Sequence, residues 1–242
     1  MPVEEPTLVD RQVEEGGATI ELYRKGEAYE VVIDGKRVMA SNERRSERSL
    51  VELALAPLQG RDDVAVLLAG FGMGFTLREL LQFAAVKRVD VVEGSQALLD
   101  WDARYFAGLN GDARKDPRVH VHAAELGHFL KQARLHAGDL PPEGWLAFVL
   151  DLDEGPSQLS RAQNAAFYTD DGLERLESAL RPGGVLALWS SQRDIELMRR
   201  MQARYQNVAE IVVPVELADR MAMDYVYRGR RHPPPQDPKK QN

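Results

Sequence analysis

The 242-residue chain contains no cysteine, which excludes a disulfide scaffold, Cys-ligated zinc and any thiol nucleophile. Histidines number only five and stand apart from clustered carboxylates, so a metal site is not expected. Long apolar runs are missing too: none approaches the roughly 18 residues of a membrane span. The acidic start "MPVEEPTLVD" lacks the apolar core of a secretion signal. Positive charge is in deficit, with a net charge of −7 and a pI near 5.4, which argues against a nucleic-acid polyanion as the main partner because phosphate binding wants a basic face. The expectation is a cytoplasmic protein with no nucleic-acid, membrane or metal partner.

What is present suits a packed core: 44% of residues are hydrophobic and 29% charged, fitting one large domain with a small appendage. From Gly17 to Met39, "GATIELYRKGEAYEVVIDGKRVM" alternates β-rich runs with Lys-Gly and Asp-Gly pairs, the signature of tight hairpins. The segment "NERRSERSLVELALAPL" then places Leu50, Leu53, Ala54 and Leu58 at helical spacing, closed by Pro57 and Gly60. From Val64 onward apolar runs alternate with amphipathic stretches, the pattern of a parallel sheet covered by helices. Strands are expected at Val64 to Leu68, Arg88 to Val92, Val119 to Ala123, Leu146 to Leu150, Val185 to Trp189 and Ala209 to Val215, with Tyr225 to Arg228 as an antiparallel last strand. The fold class is therefore α/β, a doubly wound, mostly parallel seven-stranded Rossmann-like sheet after a small N-terminal antiparallel β-unit. The boundaries fall at 1–42 for the β-unit, 43–228 for the α/β domain and 229–242 for a basic, proline-rich disordered tail.

In such sheets a ligand sits beyond the carboxyl ends of the strands, so the residues just after each apolar run are the informative ones. The first run is followed by "AGFGMGF", with Gly70, Gly72 and Gly74. Glycines here let backbone approach a ligand at a helix N-terminus, although a merely tight strand-to-helix turn would read the same. The second ends in Glu93, placed to accept the hydroxyls of a ribose as an acid about 20 residues downstream does in nucleotide-binding βαβ units. The third ends in Glu125 and Leu126, an acceptor for an adenine amino group and an apolar neighbour for its ring; a surface glutamate is the plain alternative. His120 and His122 lie within that strand as packing or solvent-facing residues. The fourth releases "DLDEG", where Asp151, Asp153 and Glu154 crowd three acids into four positions. Asp151 leaves the strand first and is best placed to hold or deprotonate an amine, an acidic loop with a helix cap being the alternative. The Pro-Gly-Gly of "ALRPGGVLAL" reads as a helix C-cap and turn.

The segments "LLAGFGMG", "VVEGS", "HAAEL", "VLDLDEGPS" and "NAAFYTDDGLERLESALRPGGVLAL" follow the order and spacing of the AdoMet-dependent methyltransferase superfamily. Over roughly residues 20 to 228 they resemble its spermidine synthase branch. That resemblance implies a transferase whose cofactor is S-adenosylmethionine or its decarboxylated form, without a metal. It implies that Gly70, Gly72, Met73 and Gly74 line the methionine-derived moiety, that Glu93 holds the ribose, and that Glu125 and Leu126 meet the adenine. Asp151 and Glu154 would be the catalytic acids, with Asp153 and Tyr168 contacting a small-molecule nucleophile. Phe167 and Tyr168 would follow a gatekeeping loop, "EGPSQLSRAQNAA", able to close as a lid. A homodimer through the N-terminal β-unit is implied as well.

Three departures from that pattern shape the functional expectation. Met73 stands where the family keeps an acid for the aminopropyl ammonium. Asp153 adds a carboxylate inside the acidic motif. Arg44, Arg45 and Arg48 replace an acidic, Tyr-Gln-containing run and suit a carboxylate better than a diamine. The expectation is an alkyl transfer to a small nucleophile other than efficient putrescine aminopropylation. True aminopropyl transfer is the runner-up, and a non-catalytic binding or assembly module is the competitor from another class. A nicotinamide enzyme is disfavoured because the third glycine falls one position early for Gly-x-Gly-x-x-Gly.

Overall fold

A computed structural model describes residues 5–42, 46–133, 140–152, 154–216 and 221–233. The chain opens with four antiparallel strands in sequential order: β1 (Thr7–Val13), β2 (Thr19–Lys25), β3 (Ala28–Ile33) and β4 (Lys36–Ala40). The β3–β4 connection is a two-residue turn in which Asp34 and Gly35 both take positive φ, 48° and 79°. That is the backbone an Asp-Gly pair is suited to supply, because its twist matches the flanking strands. β1 was not foreseen; its hydrophobic alternation is weak and most of its residues are at least partly exposed.

Helix α1 (Glu47–Leu55) buries Leu50, Val51, Ala54 and Leu55 and leads into the large sheet. Its strands are β5 (Val64–Ala69), β6 (Val86–Glu93), β7 (Val119–Ala123), β8 (Trp145–Leu150), β9 (Leu180–Ser190), β10 (Gln206–Glu216) and β11 (Met221–Arg230). They lie in the order β10-β11-β9-β8-β5-β6-β7. All neighbours from β9 to β7 are parallel, while β11 runs antiparallel to both β9 and β10. The order reverses between β5 and β8, opening a crevice at their carboxyl ends.

Helices cover both faces. On one lie α1, α2 (Phe75–Leu81) and α3 (Gln96–Trp101), through Leu50, Leu77, Leu80 and Leu99. The other carries α5 (Leu126–Ala133), α6 (Asp170–Ala179) and α7 (Ile195–Arg204), through Phe129, Leu173, Leu176 and Met201. A short α4 (Ala107–Asn110) follows α3 after a π-turn. Along β5 the side chains alternate accordingly, Val64, Val66 and Leu68 to the first face and Leu67 and Ala69 to the second. Strand β8, "WLAFVL", is buried at every position, which is why it reads as an unbroken apolar run rather than an alternating one. A third cluster joins Ile20, Leu22 and Val31 of the small sheet to Met73, Phe75, Trp101 and Phe106. The small sheet thus packs on the glycine loop and α3, and Trp101 Nε1 donates to Asp10 Oδ2 at 2.8 Å.

Two expectations are corrected here. The Arg-Pro-Gly-Gly segment lies inside β9 rather than capping a helix: α6 ends with Leu180 already extended at ψ 147°. The positive φ of Gly183 accompanies a register shift against β8, so the glycines carry an irregular strand entry. Residues 229 and 230 are not the start of the expected tail, because Gly229 and Arg230 pair with Leu186 and Val185. Arg231 still exchanges backbone hydrogen bonds with Gly183 and Gly184; residues 234–242 lie outside the described residues. No helix among the described residues is long and apolar enough to cross a membrane.

Candidate functional site

A cleft of about 740 Å³ opens at the carboxyl ends of β5, β6, β7 and β8, roofed by residues of β4. That volume suits a nucleoside-sized ligand with a small co-substrate. Gly70, Gly72, Met73, Glu93, Glu125, Leu126, Asp151 and Glu154 all line it.

The three glycines lack side chains for different reasons. A Cβ on Gly70, at φ +91°, would fall 2.2 Å from the Asp151 carbonyl oxygen, so the crossing to β8 forbids one. On Gly74, at φ +80°, it would fall 2.5 Å from Asn110 Nδ2. Only Gly72 has room, with the Met39 sulfur nearest at 3.6 Å. The loop is fastened from outside as well: Asn110 Nδ2 donates to the Met73 carbonyl at 3.0 Å and to Asp102 Oδ1 at 2.7 Å. Met73 itself is 4% exposed among Phe75, Leu98 and Trp101, a setting in which an ionised acid would be costly.

Glu93 ends β6 with both carboxylate oxygens engaged. Oε2 accepts the Phe71 N–H at 2.8 Å and Oε1 the Ser95 N–H at 2.7 Å. It therefore ties the glycine loop to the start of α3, and each oxygen keeps a second lone pair for a ligand hydroxyl. Burial pushes its carboxyl above the usual range, while these backbone donors and the Arg161 charge pull the other way.

Asp151 leaves β8 beside Gly70, its N–H bonded to the Ala69 carbonyl at 2.9 Å. Its Oδ2 accepts the Thr76 hydroxyl at 2.6 Å, and burial raises its pKa above the ordinary carboxylate value. Among the described residues its side chain is held by a neutral donor, and a carboxylate so held in a desolvated cleft is primed to take a proton. Glu154 lies at the same end, its Oε2 3.5 Å from the Lys36 ammonium, which also reaches Gln158 Oε1 at 3.4 Å. Asp224 of β11 lines this end too, accepting Trp189 Nε1 at 3.2 Å.

Glu125 stands at the opposite end, its Oε1 accepting Arg161 Nη1 at 2.8 Å. Leu126 beside it is 4% exposed. Tyr168 does not join them: its 3₁₀ segment (Ala162–Tyr168) turns the ring into the core against α6 and α7, away from the cleft. Phe167 is buried with it. Asp153, Arg44 and Arg45 lie outside the described residues, and Arg48 points to solvent, paired with Glu52 at 2.8 Å. His122 packs on Phe129 and meets the fully buried Asp90 at 2.9 Å. Asp90 also receives Arg88 and the Trp145 indole N–H; burial pushes its carboxyl up, and these donors more than offset that, leaving its pKa lowered. No motif marks Thr76, Asn110, Lys36, Arg161 or Asp224, and each meets a partner at least 35 positions away in the chain.

Comparison with known proteins agrees with this architecture. Residues 45–219 match the spermine/spermidine synthase domain model. Polyamine aminopropyltransferase 2 of Pseudomonas aeruginosa is 32% identical over 51% of this chain and 32% of its own. Putrescine N-methyltransferase 2 of Nicotiana attenuata is 29% identical over 50% of this chain and 29% of its own. The polyamine aminopropyltransferase of Mycobacterium tuberculosis is 26% identical over 70% and 30%. The chain thus spans about a third of the length of these curated relatives. Among solved structures, a spermidine synthase in complex with the transition-state analogue AdoDATO superposes with a TM-score of 0.68 at 15% identity, covering 96% of this chain and 76% of that one. The spermidine synthase of Thermotoga maritima superposes equally well, at 16% identity over 96% and 77%. With the strand order, the glycine loop and the acids at the strand ends in place, the domain match over most of its length makes this chain a member of the spermine/spermidine synthase family.

Proposed function

We propose that the cleft binds decarboxylated S-adenosylmethionine and transfers its aminopropyl group to the amine of a small polyamine. The observation that carries this is Asp151, a carboxyl raised by burial and held by Thr76 at the end of β8, in one cleft with Glu93. The sequence favoured a different alkyl transfer. The relatives named as polyamine aminopropyltransferases favour the aminopropyl reading instead.

In this reading Glu93 accepts the ribose hydroxyls, Glu125 and Leu126 receive the adenine, and Gly70, Gly72 and Met73 border the sulfonium and its alkyl arm, while Gly74, expected beside them, lies outside the cleft lining against Asn110. Asp151 takes a proton from the acceptor ammonium. The freed nitrogen lone pair attacks the carbon bonded to sulfur, a C–N bond forms as the C–S bond breaks, and 5′-methylthioadenosine leaves. The enzyme supplies alignment for an in-line displacement and the base. Glu154 faces the acceptor's far end. Pairing of two copies through the small sheet belongs to the same proposal.

One observation favours a second reading. Met73 is apolar and buried where an acid would hold the aminopropyl ammonium, which suits methyl transfer from intact S-adenosylmethionine, and relatives named putrescine N-methyltransferases exist. Calorimetry with both donors on the wild type and Glu93→Ala separates the readings. Tighter binding of the decarboxylated donor, lost in the variant, is expected. Preference for intact S-adenosylmethionine selects the second reading, and binding of neither overturns both.

A further inference from the structure

The loop after β8 carries a cation that the reading above leaves without a task. The Ser160 hydroxyl donates to the Leu152 carbonyl at 2.8 Å, folding the loop back on its own start. The next residue, Arg161, lines the cleft and is 20% exposed. Its Nη1 donates to Glu125 Oε1 at 2.8 Å, and its Nη2 donates to Glu14 Oε2. Glu14 is 12% exposed and follows β1, where its N–H closes the β1–β2 turn on the Ala18 carbonyl. One guanidinium therefore joins the small sheet, the loop after β8 and the start of α5.

Glu125 is fixed from a second side. A Cβ on Gly94 would fall 2.5 Å from Glu125 Oε1 and 2.9 Å from its Cδ. The carboxylate lies against a backbone that only glycine leaves bare, with Arg161 holding the same oxygen. Oε2 remains to accept from a ligand. A side chain that is 39% exposed is thereby kept in one place, which an unanchored glutamate would not be.

We propose that Arg161 is a positioning residue for nucleobase recognition: it fixes Glu125 as an acceptor for an exocyclic amino group, so that the site reads a 6-aminopurine against a 6-oxopurine. A carboxylate can only accept, so a 6-oxo group facing it pairs two acceptors and is rejected. The inference rests on the adenosyl-donor reading. It assigns Arg161 no contact with the reacting atoms.

The test is calorimetry of 5′-methylthioadenosine and 5′-methylthioinosine on the full chain. The ratio of their affinities cancels any general loss of binding, including the effect of the Arg161 charge on Glu93. The wild type should prefer the adenosine form, and Arg161→Met should cut that preference about tenfold. In a Glu125→Ala background the same substitution should change nothing further, which a merely structural role would not produce. Arg161→Lys keeps a cation without the fork, and it should lower the preference by a smaller factor even where the Met variant fails to fold. A preference unchanged in both Arg161 variants overturns the inference, as does an equal drop in the Glu125→Ala background. A wild type that binds both nucleosides alike overturns it alone; one that binds neither overturns the donor reading with it.

Discussion

Asp151→Asn separates the two consequences of placing a carboxyl in a desolvated cleft. Burial raises its pKa, and the Thr76 hydroxyl at 2.6 Å offsets part of that. Because the folded-state value lies above the unfolded one, this group favours the fold while protonated, below the usual carboxylate range. That contribution is lost as pH rises through the raised folded value. Above the usual carboxylate range the buried Asp151 is therefore a cost to the fold. Asparagine has nearly the same shape, keeps an oxygen for Thr76 and cannot ionise. Removing the charge should stabilise the chain by about 1–2 kcal/mol at pH 7, or about 2–8 °C in melting temperature for a chain of this size. The gain should shrink as pH falls toward about 4, where the wild type is protonated too. Turnover should fall about 10²- to 10⁴-fold, as expected for loss of a general base, with donor affinity little changed. Thermal melts across pH and initial rates of amine alkylation measure both. An Asn variant that melts below the wild type at neutral pH, or turns over within tenfold of it, refutes the reasoning.

Glu93→Gln should act in the opposite sense although burial raises that carboxyl as well. An amide can offer an acceptor to only one of the Phe71 and Ser95 N–H groups, and the abandoned buried donor costs about 1–3 kcal/mol, seen as a melting temperature lower by about 2–12 °C. An unchanged melt would show that these bonds do not hold the loop. Lys36 competes with any second ammonium for Glu154, so Lys36→Met should lower KM for a diamine acceptor by up to about fivefold, the worth of an exposed ion pair. KM for a monoamine should stay put; equal effects on both amines would place the acceptor's far end elsewhere.

The sheet was legible because its central strands are buried on both faces and so appear as apolar runs; β8 is the clearest case. Glu93 was legible from its distance to the glycines. The glycines themselves were read for a ligand, whereas Gly70 answers to the Asp151 carbonyl and Gly74 to Asn110. Periodicity carries no information about which side chains meet from distant segments. Thr76 and Asp151 are 75 positions apart, Lys36 and Glu154 118, and Glu14 and Arg161 147. Tyr168 was misplaced for a related reason: an aromatic pair after a polar loop reads alike whether it faces a cleft or a core, and the 3₁₀ turn decided it.

The proposed function holds that this cleft transfers an alkyl group from an adenosyl sulfonium to an amine, with Asp151 as the base and the thioether leaving. The most direct measurement is mass spectrometry of the purified chain incubated with decarboxylated S-adenosylmethionine and putrescine. The account predicts 5′-methylthioadenosine and an aminopropylated amine in equal amounts, both abolished by Asp151→Asn. Donor binding without either product, or product formation undiminished in the Asn variant, would contradict it.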